Sequence, residues 1–82
     1  MSYEARIGEA TGRLVSFERD RVRLEGLSAP FAPGAPVSIE VEGMSLDGKS
    51  LGSKQQADGF ALTALLRTLP KHKRQRLKKL FP

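Results

Sequence analysis

Apolar and polar side chains alternate with period two over several short stretches of this chain, the pattern of strands with one face in a core and one in water. Arg13-Leu14-Val15-Ser16-Phe17 opens the series. Arg21-Val22-Arg23-Leu24-Glu25 follows, with Val22 and Leu24 on one side and three charged groups on the other. The connection Glu18-Arg19-Asp20 is short and polar, which predicts a hairpin. Val37-Ser38-Ile39-Glu40-Val41-Glu42 alternates without a fault, placing Val37, Ile39 and Val41 on a buried face and Ser38, Glu40 and Glu42 in water. Ahead of it, Pro33-Gly34 suits the centre of a type II turn, where proline sets the first φ and glycine accepts a positive second one.

Asp47-Gly48 and Asp58-Gly59 both read as two-residue turns, which makes residues 49–57 a polar strand at a sheet edge, open to pairing with another chain. Residues 60–66 are apolar on both faces, as in a strand covered by a barrel interior on one side and a helix on the other. Leu65 then needs a cover.

The period changes near the end of the chain. Thr68 suits the N-cap, Pro70 an early helical position, and Pro82 lies beyond the end. Leu77, Leu80 and Phe81 fall at i, i+3 and i+4, one apolar face that can dock on the sheet and shield Leu65. The expected fold is therefore mainly β: a small antiparallel β-barrel of five to six strands with one C-terminal α-helix. Residues 1–11 form an extension or a first edge strand, and residues 12–82 form the single domain.

Composition agrees with this size of fold. With 82 residues, 39% of them hydrophobic and 28% charged, the chain has the make-up of one globular domain and too little length for a second core. It has no cysteine, so a disulfide framework and thiolate chemistry are excluded, and a reducing, cytoplasmic setting is expected. No apolar run approaches the ~20 residues of a membrane span, and residues 1–10 lack a signal-peptide core, so neither insertion nor export is expected.

The formal charge of +5 is unevenly placed. Residues 71–82 hold six of the fourteen Lys and Arg and none of the nine Asp and Glu, leaving the rest of the chain with eight cations against nine acids. Lys71, Lys73, Arg74, Arg76, Lys78 and Lys79 thus share a helix with no carboxylate on it. A helix that served only to shield Leu65 could carry glutamates for i,i+4 pairs, so a partner-binding surface is the functional reading of these six and a solvated face the bland one. Cations suit the last helical turn, but Lys71 and Lys73 at the first turn oppose the helix dipole. Arg19, Arg21 and Arg23 form a second cluster that could meet an anion. Glu18, Asp20 and Glu25 interleave with it, which favours cross-strand ion pairs instead.

Catalytic constellations are lacking. The single histidine, His72, sits between Lys71 and Lys73 with no acid on its helix, and one histidine without cysteine makes no zinc site of ordinary spacing. Serines 16, 38, 45, 50 and 53 have no local base and suit surface or turn roles, Glu40 and Glu42 suit a solvated strand face, and the glycines are spaced as turns. No enzyme activity, metal or cofactor is expected.

In order, Gly12-Arg13-Leu14-Val15-Ser16, then Val22-Arg23-Leu24-Glu25, Pro33-Gly34 before residues 37–41, Gly59-Phe60-Ala61-Leu62, and a helix ending Leu77-Lys78-Lys79-Leu80-Phe81 resemble a PilZ domain across residues 12–81. The resemblance implies a six-stranded barrel with a C-terminal helix, of the kind that serves bacteria as a cyclic di-GMP receptor. Such domains hold the dinucleotide with an Arg-x-x-x-Arg stretch and an Asp/Asn-x-Ser-x-x-Gly run. Here the second slot reads Ser16-Phe17-Glu18-Arg19-Asp20-Arg21, and near the start Arg6 is followed by Ala10 where a second arginine is required. No ligand residue carries over, and Glu18 would set a negative charge beside the phosphates. The resemblance thus implies a degenerate branch that acts by protein–protein interaction in motility, secretion or signalling assemblies. The alternatives are a cyclic di-GMP receptor using non-standard arginines and a small basic nucleic-acid-binding barrel. Against the latter stands a shortage of aromatic platforms, since Phe17, Phe60 and Phe81 take core positions.

Overall fold

The computed structural model describes residues 2–82. Six strands and one helix follow one another: β1 (Tyr3–Ile7), β2 (Ala10–Glu18), β3 (Arg21–Leu27), β4 (Pro36–Val41), β5 (Met44–Gln56), β6 (Gly59–Leu66) and α1 (Lys71–Leu80). The strands close into an antiparallel barrel in the order β1-β2-β3-β6-β5-β4, with β1 hydrogen-bonded to both β2 and β4. The expected mainly-β barrel with a C-terminal helix is the fold observed.

Alternation decides which side chains enter the barrel. Leu14, Val22, Leu24, Ile39, Leu46 and Leu62 are fully or almost fully buried, and Val37 and Val41 join them as expected. Closing a small barrel needs strong twist, and bulges supply it at three places: between Leu14 and Ser16, between Leu24 and Leu27, and between Ser50 and Ser53. At the last of these, buried Ser50 accepts a hydrogen bond from the Gly52 amide at 3.0 Å, so the bulge carries its own polar partner.

The first hairpin forms where predicted, with Arg19 and Asp20 at φ 50° and 65°, the left-handed pair that the twist of a tight hairpin demands. Pro33-Gly34 also behaves as expected: the Ala35 amide donates to the Ala32 carbonyl at 3.1 Å across a turn in which Gly34 has φ 85°.

Several expectations need correction. Asp47-Gly48 is not a turn but lies inside the 13-residue β5. The β4–β5 turn is Glu42-Gly43, with φ 49° and 74°, because turning there keeps Met44 and Leu46 in the inward register set by Val41. Gly48 is instead a point of close approach, where a Cβ would stand 2.6 Å from the Leu65 carbonyl oxygen. Glu42 accordingly belongs to the turn and not to the outward face of a strand. The next turn is Ala57-Asp58, one residue earlier than predicted, with Gly59 already in β6. Residues 49–57 are no edge strand, since β5 is bonded to β4 and to β6 inside a closed ring. Of the segment expected as an extension or a first edge strand, residues 3–7 form the first strand, which is no edge because β1 is bonded to both β2 and β4; Met1 lies outside the described residues.

The helix differs most. Pro70, with φ −60° and ψ 150°, is itself the N-cap and makes no side-chain cap bond, while Thr68 sits in a bend at φ 44°. Leu65 stays 36% exposed on the outer wall, whereas Leu77 is fully buried in the core cluster. The helix therefore stoppers one end of the barrel and leaves the outside of β6 uncovered.

Candidate partner-binding surface

Little in its own sequence stabilises α1. Its first turn has no acidic residue and its N-cap has no side-chain bond, so the dipole is opposed there by Lys71 and Lys73 and favoured only at Lys78 and Lys79. Ten residues are too few for a stable isolated helix, and docking must hold it. Leu77 enters the barrel mouth and joins the core, against which Leu69, Leu80 and Phe81 pack at partial burial. Tyr3, at the start of β1, donates its hydroxyl to the Leu80 carbonyl at 3.0 Å and meets the Phe81 ring edge-on, with centroids 5.3 Å apart.

Three of the six helix cations serve the same docking. Arg74 pairs with the Asp20 carboxylate in the β2–β3 turn. Lys73 donates to the Ser45 carbonyl and Arg76 to the Glu42 carbonyl, both on the β4–β5 hairpin. The expectation that all six face outward without a counter-group is thus corrected: long basic side chains span the barrel mouth and hold its rim. Lys71, Lys78 and Lys79 are the exposed remainder, and among the described residues they join no ion pair or hydrogen bond. The rim residues that receive the helix were not legible as site residues. Two of them offer backbone carbonyls, which any residue supplies, and Tyr3 lies 77 positions from Leu80.

The second basic cluster is split by the fold. Arg19 occupies the left-handed turn, while Arg21 and Arg23 point outward from β3. Arg23 pairs with Glu25 at 3.1 Å within its own strand, not across strands as expected. Asp20, expected among the partners of this cluster, is taken by the helix. Glu18 stands opposite Arg21 without an ion pair, and the two line an open depression of about 460 Å³ together with Ser16 and Arg19.

A larger open groove, about 550 Å³, runs along the other side of the barrel. Ala5, Val41 and Met44 line it together with Glu4, Glu40 and Glu42, and Arg6 bonds Glu40 at 2.6 Å. No three His, Cys, Asp or Glu converge as a metal site among the described residues. The serines have structural partners: Ser53 bonds the backbone of Phe31 in both directions, and Ser38 and Ser45 lie 3.3 Å apart across β4 and β5. Among the described residues no helix is long and apolar enough to cross a membrane. No family model matches the chain, and it matches no curated protein and no solved structure.

Proposed function

We propose that the chain is a non-catalytic, PilZ-like binding module that docks an acidic protein partner in a bacterial motility, secretion or signalling assembly of the cytoplasm, without cyclic di-GMP. The reading rests on one observation above all: α1 is fixed to the barrel mouth by Leu77 and three basic side chains, while Lys71, Lys78 and Lys79 stand outside it with no counter-charge among the described residues. A cationic helix held at fixed orientation is a docking feature whose cost in self-repulsion an anionic partner relieves. Nucleic acid is the weaker candidate, because Tyr3, Phe17, Phe31, Phe60 and Phe81 are all packed against the core at partial burial, which limits the aromatic surface on which a base can stack.

Cross-linking in the native cell, followed by mass spectrometry, tests the reading. One acidic protein should be captured by the native chain and lost on Lys71→Glu/Lys78→Glu/Lys79→Glu, with the circular dichroism spectrum unchanged. Calorimetric titration with cyclic di-GMP should give no heat of binding; micromolar affinity would overturn the reading.

A further inference from the structure

The barrel wall is electrically polarised. Along β1, β4 and residues 44–47 of β5, the outward charged groups are Glu4, Glu40 and Asp47, with Glu42 at the turn and Arg6 as the one cation. On the rest of the ring, β3, β6 and β5 from Lys49 onward present Arg21, Arg23, Lys49 and Lys54, with Glu25 as the carboxylate, already held by Arg23. Strand register orders this second wall. Leu65 of β6 is flanked by Arg21 on β3 and Lys49 on β5, Thr63 by Arg23, and Ala61 by Lys54. The central strand is therefore an uncharged strip with cationic rails on both sides.

The same wall also holds the apolar surface that the fold leaves bare. Leu65 at 36% and Leu51 at 42% are the exposed large hydrophobics among the described residues, on adjacent strands of this same wall. Helical periodicity sets Lys71 and Lys78 on the flank of α1 that carries Arg74, the flank meeting Asp20, while Lys73 and Arg76 lie towards Ser45 and Glu42. Two of the three unpaired helix cations, Lys71 and Lys78, thus lie on the side of the turn from which Arg21 and Arg23 run up the wall.

We propose that the β3–β6–β5 wall docks an acidic protein segment, which sets spaced apolar side chains on Leu51 and Leu65 and its carboxylates against Arg21 and Lys49, with Lys71 and Lys78 extending the site. This rests on the reading of the chain as a partner-binding module and names the surface and the chemistry it selects. Charge alone would accept any polyanion and leucines alone any greasy surface; the two together select an acidic amphipathic segment. An anionic bilayer fits worse, because its continuous headgroups would press on Glu18 beside Arg21 and on Glu25 beside Arg23, whereas a segment can set its few carboxylates against the cations alone.

Fluorescence anisotropy on the full chain tests this, using a labelled helical peptide with a leucine stripe flanked by glutamates. The comparison probes are the same peptide with serine for leucine, phosphatidylglycerol vesicles and a single-stranded thymidine oligonucleotide. The leucine peptide alone should bind saturably, and less well as salt rises. Leu51→Ser/Leu65→Ser should weaken it about tenfold, as truncation of apolar anchors does. Thr63→Glu, which puts a carboxylate into the strip of a chain that keeps both leucines, should weaken it as much, with both variants checked for the native circular dichroism spectrum. Lys71→Glu/Lys78→Glu should have a smaller effect. If the wall variants bind unchanged while the helix variant loses binding, the helix reading stands and this wall is not the site. Equal or tighter binding of the serine peptide, the vesicles or the oligonucleotide would overturn the proposed occupant, and no binding of any acidic probe would overturn both readings.

Discussion

The two ends of the barrel are closed by different means. At one end α1 inserts Leu77, and the closure is held by long charged side chains reaching to Asp20, Ser45 and Glu42. At the other, residues 28–35 fold over the mouth, and Phe31 packs on the core with no charged group involved. Short bonds hold that loop: Ser53 accepts from the Phe31 amide at 2.9 Å and donates to its carbonyl at 3.0 Å, and the Gly34 amide donates to the Ser50 carbonyl at 2.7 Å. Both ends bury an apolar side chain where the strands splay. The loop end spends backbone and hydroxyl groups on the task and is electrically silent, whereas the helix end spends half its cations and presents the other half. The function proposed for this chain grows from that asymmetry.

Removing the stopper should bring the largest loss. Leu77→Ala is expected to cost about 2–5 kcal/mol in urea denaturation, since it leaves a cavity at the barrel mouth and frees the helix. If it costs under about 1 kcal/mol, the helix is no part of the core and the contrast between the ends collapses. Gly48→Ala should follow at about 1–3 kcal/mol, because the Leu65 carbonyl at 2.6 Å from the new Cβ is backbone and must move with its strand. Ser53→Ala probes the silent end alone. It should cost about 0.5–1.5 kcal/mol for the lost hydrogen bonds, to the same degree at low and high salt. Asp20→Asn completes the series with about 0.2–1 kcal/mol, small because the Arg74 pair is partly exposed, and its effect should fade as salt is raised. A salt-dependent Ser53→Ala together with a salt-independent Asp20→Asn would reverse the comparison.

Local signals in the chain proved sound where neighbours in sequence are neighbours in space. The Arg19-Asp20 and Pro33-Gly34 turns and the inward set of Val37, Ile39 and Val41 all depend on a few consecutive residues. Asp47-Gly48 misled because it is a good turn dipeptide whose flanking residues are already committed to a longer register: Met44 and Leu46 must face inward, and that outweighs the local preference. The helix was recognised from Leu77, Leu80 and Phe81, but its target was misassigned to Leu65. Apolar spacing identifies the face a helix buries and carries no address for the surface that receives it.

The same division runs through the candidate site. Six basic residues without an acid are visible in the order of the residues, as are the half-buried strands, the barrel class and the terminal helix, because period and charge are properties of short segments. That β1 meets β4 to close the ring, that Arg74 finds Asp20, and that Arg21, Leu65 and Lys49 share one row while Lys71 and Lys78 remain free, came only with the folded barrel. Those pairings join residues tens of positions apart, and they are selected by closing one small core from both ends at once, a constraint that no single stretch of chain contains.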